Sequence, residues 1–222
     1  MPGERLAVIG PNGAGKTTLF KLIAREERMT AGRVEFNGKD ISRIPNYELA
    51  RLGMGRTYQV TRIFPALTVQ ENVMLAAQGT RRGRFSMFAP ARGNSSIRDP
   101  AREAIARVGL EKMAPITAAE LGHGQQRQLE LALALAMEPI VLLLDEPGAG
   151  LSASERGMMR ELVASLPADI TVLLIEHDMQ LALGLADRCI CMHNAKVIAE
   201  GTPEEIKADR KVQDIYLGKA LE

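Results

Sequence analysis

The sequence has few cysteines, almost no net charge and no long apolar run, and each of these absences narrows the class of protein. Its only two cysteines, Cys189 and Cys191, predict a reduced, cytoplasmic setting. The formal net charge of +1 gives no bulk electrostatic preference for nucleic acid or an anionic membrane. Apolar runs such as residues 140–144 are far shorter than the ~20 residues that span a bilayer.

Strand and helix patterns alternate through most of the chain. At 222 residues the chain can bury a full core, so a stapled miniprotein is excluded. Short apolar runs predict buried strands at residues 5–10, 140–145, 170–177 and 188–193. Helical spacing lies between them at residues 16–25, 154–166 and 179–186. This alternation predicts an α/β fold with a mostly parallel sheet, interrupted by a helical insertion between residues 67 and 137.

A glycine-rich loop follows the first predicted strand and opens a predicted helix. Its sequence, GPNGAGKTT, matches the pattern G-x-x-x-x-G-K-[ST] in the required context. Such a loop turns successive N–H groups toward one concavity, which fits triphosphate oxygens. Lys16 would reach the β- and γ-phosphates and the Thr17 hydroxyl would hold Mg²⁺. The predicted nucleotide-binding residues here are Gly10, Pro11, Asn12, Gly13, Ala14, Gly15, Lys16, Thr17 and Thr18.

Side chains that can take part in catalysis end two of the later predicted strands. Asp145 and Glu146 follow the run IVLLL, at the strand end where open α/β sheets place their ligands. Asp145 suits Mg²⁺ binding and Glu146 suits polarising an attacking water, although Asp-Glu-Pro taken alone could simply end a strand. His177 ends the next strand and could contact the γ-phosphate, although a lone histidine at a strand end is usually structural.

The stretch LGHGQQRQLELALALA, residues 121–136, supports both a strand and a helix interpretation. Its leucines alternate as they would in a strand. The intervening alanines, the length and Pro139 beyond its end favour a buried helix beginning at Gly124.

Taken in order, the glycine-rich loop, Gln59, LGHGQQR, LLLDEP, GLS and His177 resemble the ATP-binding cassette ATPases of membrane transporters. The resemblance covers essentially the whole chain. It implies ATP and Mg²⁺ as cofactors and head-to-tail pairing with a second ATPase subunit, identical or different. It also implies transmembrane permease subunits as partners, a periplasmic or extracellular solute-binding protein acting indirectly, and no nucleic acid. The subunit would lie on the cytoplasmic face of the membrane.

The resemblance also assigns residues to roles. Glu146, His177 and Gln59 would be catalytic, and Thr17, Gln59 and Asp145 would hold the metal. The signature motif of this chain would contact the ATP bound to the partner subunit. It would consist of Leu121, Gly122, His123, Gly124 and Gln125. The implied organisation is a nucleotide-binding core over residues 1–66, a helical subdomain over 67–138, the rest of the core over 139–200 and a tail over 201–222.

Three stretches are most similar to the ATPase subunits of branched-chain amino-acid importers: residues 55–76 around Gln59, residues 173–179 at His177, and the tail from residue 201. ATPases of urea or amide uptake and of lipopolysaccharide transport are the alternatives. A nucleotide-binding regulatory subunit with little hydrolysis is a further alternative. A cassette ATPase of DNA repair or translation would show long heptads or two cassettes, and the sequence has neither.

The sequence departs from the family pattern at several positions. Only residues 1–9 precede the glycine-rich loop, where the family has antiparallel strands and an adenine-stacking aromatic, so we expect a truncated N-terminus. Gly122 replaces a serine, and we expect the helix to form with one hydroxyl donor fewer. Ser152 replaces an aspartate expected at the dimer seam. Ala195 stands in a predicted hairpin turn where glycine would be better suited. We expect local backbone strain there, away from the catalytic residues.

Cys189, Cys191 and His193 alternate along one predicted strand and would share one face of it. Three ligands on one strand cannot readily surround a tetrahedral ion. Core packing is therefore the prediction for the two thiols.

Overall fold

The computed structural model describes residues 2–58, 62–80 and 95–216. The chain forms two compact units. The first consists of Met1–Leu49, Leu143–Glu146 and Pro167–Glu222, and the second of Ala50–Leu142 and Pro147–Leu166. Within the described ranges, no helix has the length and apolar character needed to cross a membrane.

The strands are β1 (Arg5–Ile9), β2 (Glu35–Phe36), β3 (Lys39–Asp40), β4 (Met54–Arg56), β5 (Val141–Asp145), β6 (Thr171–Ile175), β7 (Arg188–His193) and β8 (Lys196–Gly201). The helices are α1 (Lys16–Ile23), α2 (Asn46–Leu49), α3 (Val69–Gly79), α4 (Ser95–Arg107), α5 (His123–Leu135), α6 (Ala153–Ala164), α7 (Met179–Leu185), α8 (Pro203–Ala208) and α9 (Arg210–Tyr216). Short 3-10 turns lie at Ala50–Leu52, Glu111–Met113 and Ala118–Glu120.

The sheet of the first unit runs in the order β5, β6, β1, β7, β8. Strand β1 is parallel to both neighbours, with Leu6 opposite Leu173 of β6 and Arg188 of β7. Strand β8 closes the edge as an antiparallel hairpin partner of β7. The predicted α/β class with a mostly parallel sheet is confirmed. Because the chain crosses over between parallel strands, the ends of β1, β5 and β6 point the same way and place their following loops together.

Fully buried apolar side chains form the core of the first unit. Ile9 of β1, Phe20 of α1 and Ile175 of β6 are all inaccessible to solvent. A separate two-stranded hairpin, β2 with β3, turns at Asn37 and Gly38, which both have positive φ. This is the turn that an Asn-Gly pair favours.

The helices of the second unit are held by an N-terminal cap and a buried amide. Thr68 caps α3 through a reciprocal capping box with Glu71. The buried side chain of Asn72 accepts from the Phe64 N–H at 2.8 Å and donates to the Phe64 carbonyl at 3.0 Å. These bonds fix the loop before α3, because they satisfy backbone groups that no helix or strand pairs.

Residues 121–136 contain a helix, as predicted. Helix α5 begins at His123, one residue before the predicted start, and buries Leu129 and Leu131. It ends at Leu135, ahead of Pro139, whose ring disfavours helix at the preceding residue. The alternating leucines therefore line a helix that is buried on most sides rather than one face of a strand.

Candidate nucleotide-binding site

The glycine-rich loop joins β1 to α1. Gly15 has a left-handed conformation with φ of 97° and directly precedes the helix. Lys16 is only 6% exposed, and its Nζ donates to the carbonyl of Gly10 at 2.6 Å and to that of Pro11 at 3.0 Å. Burial lowers the pKa of Lys16, and the negative charge of Glu146 opposes that shift. The ammonium group is thus held over the loop in which phosphate oxygens would bind.

The loop rests on the turn between β7 and β8. A Cβ built on Gly10 would lie 2.2 Å from the Met192 carbonyl oxygen, so only glycine fits there. The Ala195 N–H donates to the Ala14 carbonyl at 3.0 Å. Ala195 has a φ of 59°, which confirms the backbone strain predicted for this turn. However, we expected this residue to lie away from the chemistry, and the structure places it against the loop.

Asp145 and Glu146 lie at the end of β5. Asp145 is buried, while the Glu146 side chain is 18% exposed. Glu146 has φ of 48°, a left-handed conformation that costs free energy for a residue with a side chain. Its N–H donates to the Ile175 carbonyl of β6 at 3.0 Å. This bond holds the backbone of Glu146 against the end of β6.

His177 follows β6 and lies near two carboxylates, those of Glu146 and Glu176. Its Nδ1 lies 3.8 Å from Glu146 Oε2 and 3.8 Å from Glu176 Oε2. The imidazole is 55% exposed while Glu176 is buried. The predicted residues Lys16, Glu146 and His177 are therefore brought together in the first unit.

The side chains predicted to hold Mg²⁺ are few but of the right type. Thr17 is exposed at the start of α1, and Asp145 ends β5. Within the described part of the chain, no three His, Cys, Asp or Glu side chains cluster as a metal site. One hydroxyl and one carboxylate fit Mg²⁺, which keeps most of its other ligands as waters and substrate phosphates.

Gln59, which we predict to be catalytic and a metal ligand, lies outside the described residues. The described residues before and after it, Tyr58 and Arg62, are both bonded to helix α5. Arg127 Nη1 donates to the Tyr58 carbonyl at 2.7 Å and to Glu130 Oε2 at 2.8 Å. Glu130 Oε1 in turn accepts from the Arg62 N–H at 3.0 Å. Sequence reasoning missed this buried ion pair. The available signal was two opposite charges spaced i,i+3 on an otherwise apolar helix.

The predicted signature motif forms the N-terminus of α5. Gly122 is the N-cap residue, with φ of −65° and ψ of 162°. Its N–H donates to the Gln125 side chain at 3.0 Å. A Cβ at Gly122 would contact only Gln125 Oε1, at 3.8 Å. The helix forms without a serine, as predicted, and the site has room for one.

Ser152 caps α6 rather than presenting a carboxylate. Its hydroxyl accepts from the Glu155 N–H, and the Glu155 side chain accepts from the Ser152 N–H at 2.8 Å. The loop before α6 also reaches the signature motif, because a Cβ on Gly150 would lie 3.0 Å from the His123 ring.

Cys189 and Cys191 are buried in β7 and are both free thiols. Burial raises the pKa of each to about 11. They therefore pack in the core as neutral thiols, in agreement with the prediction.

Comparisons with known proteins agree with this geometry. A family model described as ABC transporter matches residues 1–149. A second, described as branched-chain amino acid ATP-binding cassette transporter, matches residues 196–222. Among solved structures, the ADP conformation of an ATP-binding cassette of an ABC transporter superposes with a TM-score of 0.85 at 30% identity. That superposition covers 98% of this chain and 89% of the other.

Curated relatives match along nearly the whole chain. The chain is 39% identical over 224 residues to the high-affinity branched-chain amino acid transport ATP-binding protein LivG of Salmonella typhimurium, covering 98% of this chain and 88% of that protein. It is 36% identical over 222 residues to the protein BraF of Pseudomonas aeruginosa, which carries the same description, covering 97% and 87%. The chain therefore belongs to the ABC transporter family, as one of its ATP-binding subunits.

Proposed function

We propose that this subunit hydrolyses ATP in a Mg²⁺-dependent reaction that powers the import of branched-chain amino acids. The observation that carries the proposal is the meeting of Lys16, Glu146 and His177 in one compact unit, with His177 Nδ1 3.8 Å from Glu146 Oε2. A cation can stabilise charge on the phosphates and a carboxylate can polarise the attacking water, and both assist phosphoryl transfer to water.

Each of these side chains has a role that follows from its position. Lys16 exchanges its bonds to the Gly10 and Pro11 carbonyls for bonds to phosphate oxygens. Thr17 and Asp145 would hold Mg²⁺, which when bound would neutralise negative charge on the phosphates. Glu146 accepts a proton from the attacking water, and His177 contacts the γ-phosphate and orients that water.

The signature motif acts on ATP bound to a second subunit, identical or different. The first turn of α5 has backbone N–H groups without intrahelical partners and carries the positive end of the helix dipole. Gly122 and His123 are exposed there. Two chains placed head to tail would close each ATP between the glycine-rich loop of one and the α5 N-terminus of the other. Related cassettes are described as dimeric in two solved structures, one of them bound to ADP and phosphate.

Closure and reopening of this dimer would drive the membrane permease subunits. Phe64 is 57% exposed, yet its backbone is fixed on both sides by Asn72. A rigidly held, exposed aromatic is a common anchor in protein interfaces. We propose that the permease contact lies at Phe64, on the cytoplasmic face of the membrane. The solute assignment follows from the descriptions of LivG and BraF.

The proposal is tested with the full chain reconstituted with its permease subunits and binding protein in vesicles. Leucine, isoleucine or valine should stimulate Mg²⁺-dependent ATP hydrolysis and accumulate inside. Urea or a short-chain amide in place of the amino acid is the control for the alternative solutes. Hydrolysis without stimulation by any of the three amino acids would contradict the solute assignment alone, whereas no hydrolysis would contradict the enzymatic proposal.

A weakly hydrolysing regulatory subunit is the second candidate, favoured by the missing hydroxyl at Gly122. Gly122→Ser should raise turnover or closed-dimer affinity about ten- to a hundredfold, since a hydrogen bond to a charged group is worth ~1.5–3 kcal/mol. The N-cap φ and ψ of Gly122 suit serine. Steady-state ATPase assays of both proteins provide the measurement. Gly157→Ser on α6, where no atom lies within 4 Å of an added Cβ, is the matched control. A parent protein with negligible turnover that serine leaves unchanged would favour the regulatory subunit.

A further inference from the structure

Glu155 joins the cap of α6 to the signature helix α5. One of its oxygens, Oε2, accepts from the Ser152 N–H at 2.8 Å and from the Ser152 hydroxyl at 2.6 Å. The other, Oε1, lies only 2.4 Å from the position of a Cβ built on Gly124. The close approach of this carboxylate to α5 therefore requires glycine at position 124.

The carboxylate beside Gly124 is charged. The two bonds from Ser152 are the main cause of a lowered pKa at Glu155, and the nearby Gly124 backbone and His123 side chain add to that lowering. The carboxylate is therefore anionic at neutral pH. It lies against the first turn of α5, where a helix leaves backbone donors without an intrahelical partner.

This contact conflicts with the role proposed for the signature motif. In the proposed function the γ-phosphate of the partner's ATP binds at the start of α5, beside this carboxylate. A carboxylate and a phosphate brought close together repel each other, with an energy that solvent and salt reduce. The chain thus holds an anion of its own where the partner's anion has to bind.

We propose that the charge of Glu155, held against Gly124 at the start of α5, opposes binding of the partner's γ-phosphate there and so weakens the ATP-closed dimer. This inference rests on the proposed function. Glu155 acts through its charge and does not itself touch the reacting atoms.

The test separates the charge of Glu155 from its capping role. Glu155→Gln keeps an oxygen acceptor of nearly the same shape and loses the charge. Placed in the full-length Glu146→Gln chain, which retains ATP, it should tighten ATP-driven dimerisation about tenfold by sedimentation. In the hydrolysing chain the same substitution should lower the KM for ATP more than it changes kcat. The gain should shrink as KCl rises, because salt screens the charge.

Glu205 offers a matched control in the first unit. It forms the same capping box with Thr202 at the start of α8, and its Oε2 lies 2.6 Å from a Cβ built on Gly201. Glu205→Gln should lower the melting temperature by an amount similar to Glu155→Gln and leave the dimerisation constant unchanged.

Each outcome separates the two proposals. If the Glu146→Gln chain forms no ATP-driven dimer, the proposed function fails and the role of Glu155 fails with it. If that dimer forms but Glu155→Gln leaves its affinity unchanged or weakens it, only the role of Glu155 is overturned. An equal gain from Glu205→Gln, or a gain insensitive to salt, would also overturn it, since neither follows from charge beside Gly124.

Discussion

Glu146→Gln is expected to abolish steady-state ATP hydrolysis while leaving ATP binding intact. Removing a general base costs about 10²–10⁴-fold in rate, and glutamine cannot take a proton from water. Glutamine also keeps the size of the side chain, and the left-handed backbone at this residue, with φ of 48°, is equally strained for both residues. The loss should therefore lie in kcat, with the KM for ATP little changed.

Phosphate release by the purified chain with Mg²⁺ and its membrane partners measures this loss. Glu103→Gln, which removes a 70% exposed carboxylate on α4, is the control and should keep full turnover. A Glu146→Gln protein that retains more than about a tenth of parental turnover would exclude Glu146 as the general base.

Lys16→Met should remove most of the affinity for ATP. Methionine matches the length of the lysine stem and suits a side chain that is 6% exposed, so the packing around α1 should survive. Lys16 would give two charge-assisted bonds to phosphate, each worth ~1.5–3 kcal/mol. Their loss corresponds to a roughly 10²–10⁴-fold increase in the Kd for ATP.

Equilibrium binding of radiolabelled ATP measures the change without dependence on hydrolysis. Lys21→Met is the matched control on the same helix, since the Lys21 side chain is 42% exposed and its ammonium pairs with Glu27 at 3.4 Å. It should bind ATP as the parent does. Normal binding by Lys16→Met, with an unchanged melting temperature, would contradict the phosphate-loop assignment.

The parts of the site that the sequence predicts are those built by neighbouring residues. Nine consecutive residues form the glycine-rich loop, and its context of strand and helix is equally local. The helix at residues 123–135 follows from its alanines and the proline beyond it. Asp145 and Glu146 are predicted because a buried apolar run ends at them, which is again a local pattern.

Contacts between distant segments could not be predicted in the same way. The sequence shows an arginine and a glutamate in α5, but only the folded chain shows that they hold Tyr58 and Arg62 on either side of Gln59. At Ser152 the sequence alone indicates the loss of an aspartate at the dimer seam. The folded chain shows in addition that this serine caps α6 together with Glu155. Residue type limits which bonds a side chain can make, and tertiary packing selects the partner.

The segments that support the glycine-rich loop are synthesised long after the loop itself. The loop leaves the ribosome early, but β1 before it pairs with β6 and β7, which come much later in the chain. The turn that contacts the loop, at Met192 and Ala195, comes later still. At ~5–20 residues per second, a chain of 222 residues takes roughly 10–40 s to make. We therefore expect a nascent chain to acquire the nucleotide binding proposed for this loop only after β6, β7 and the turn that follows them have emerged.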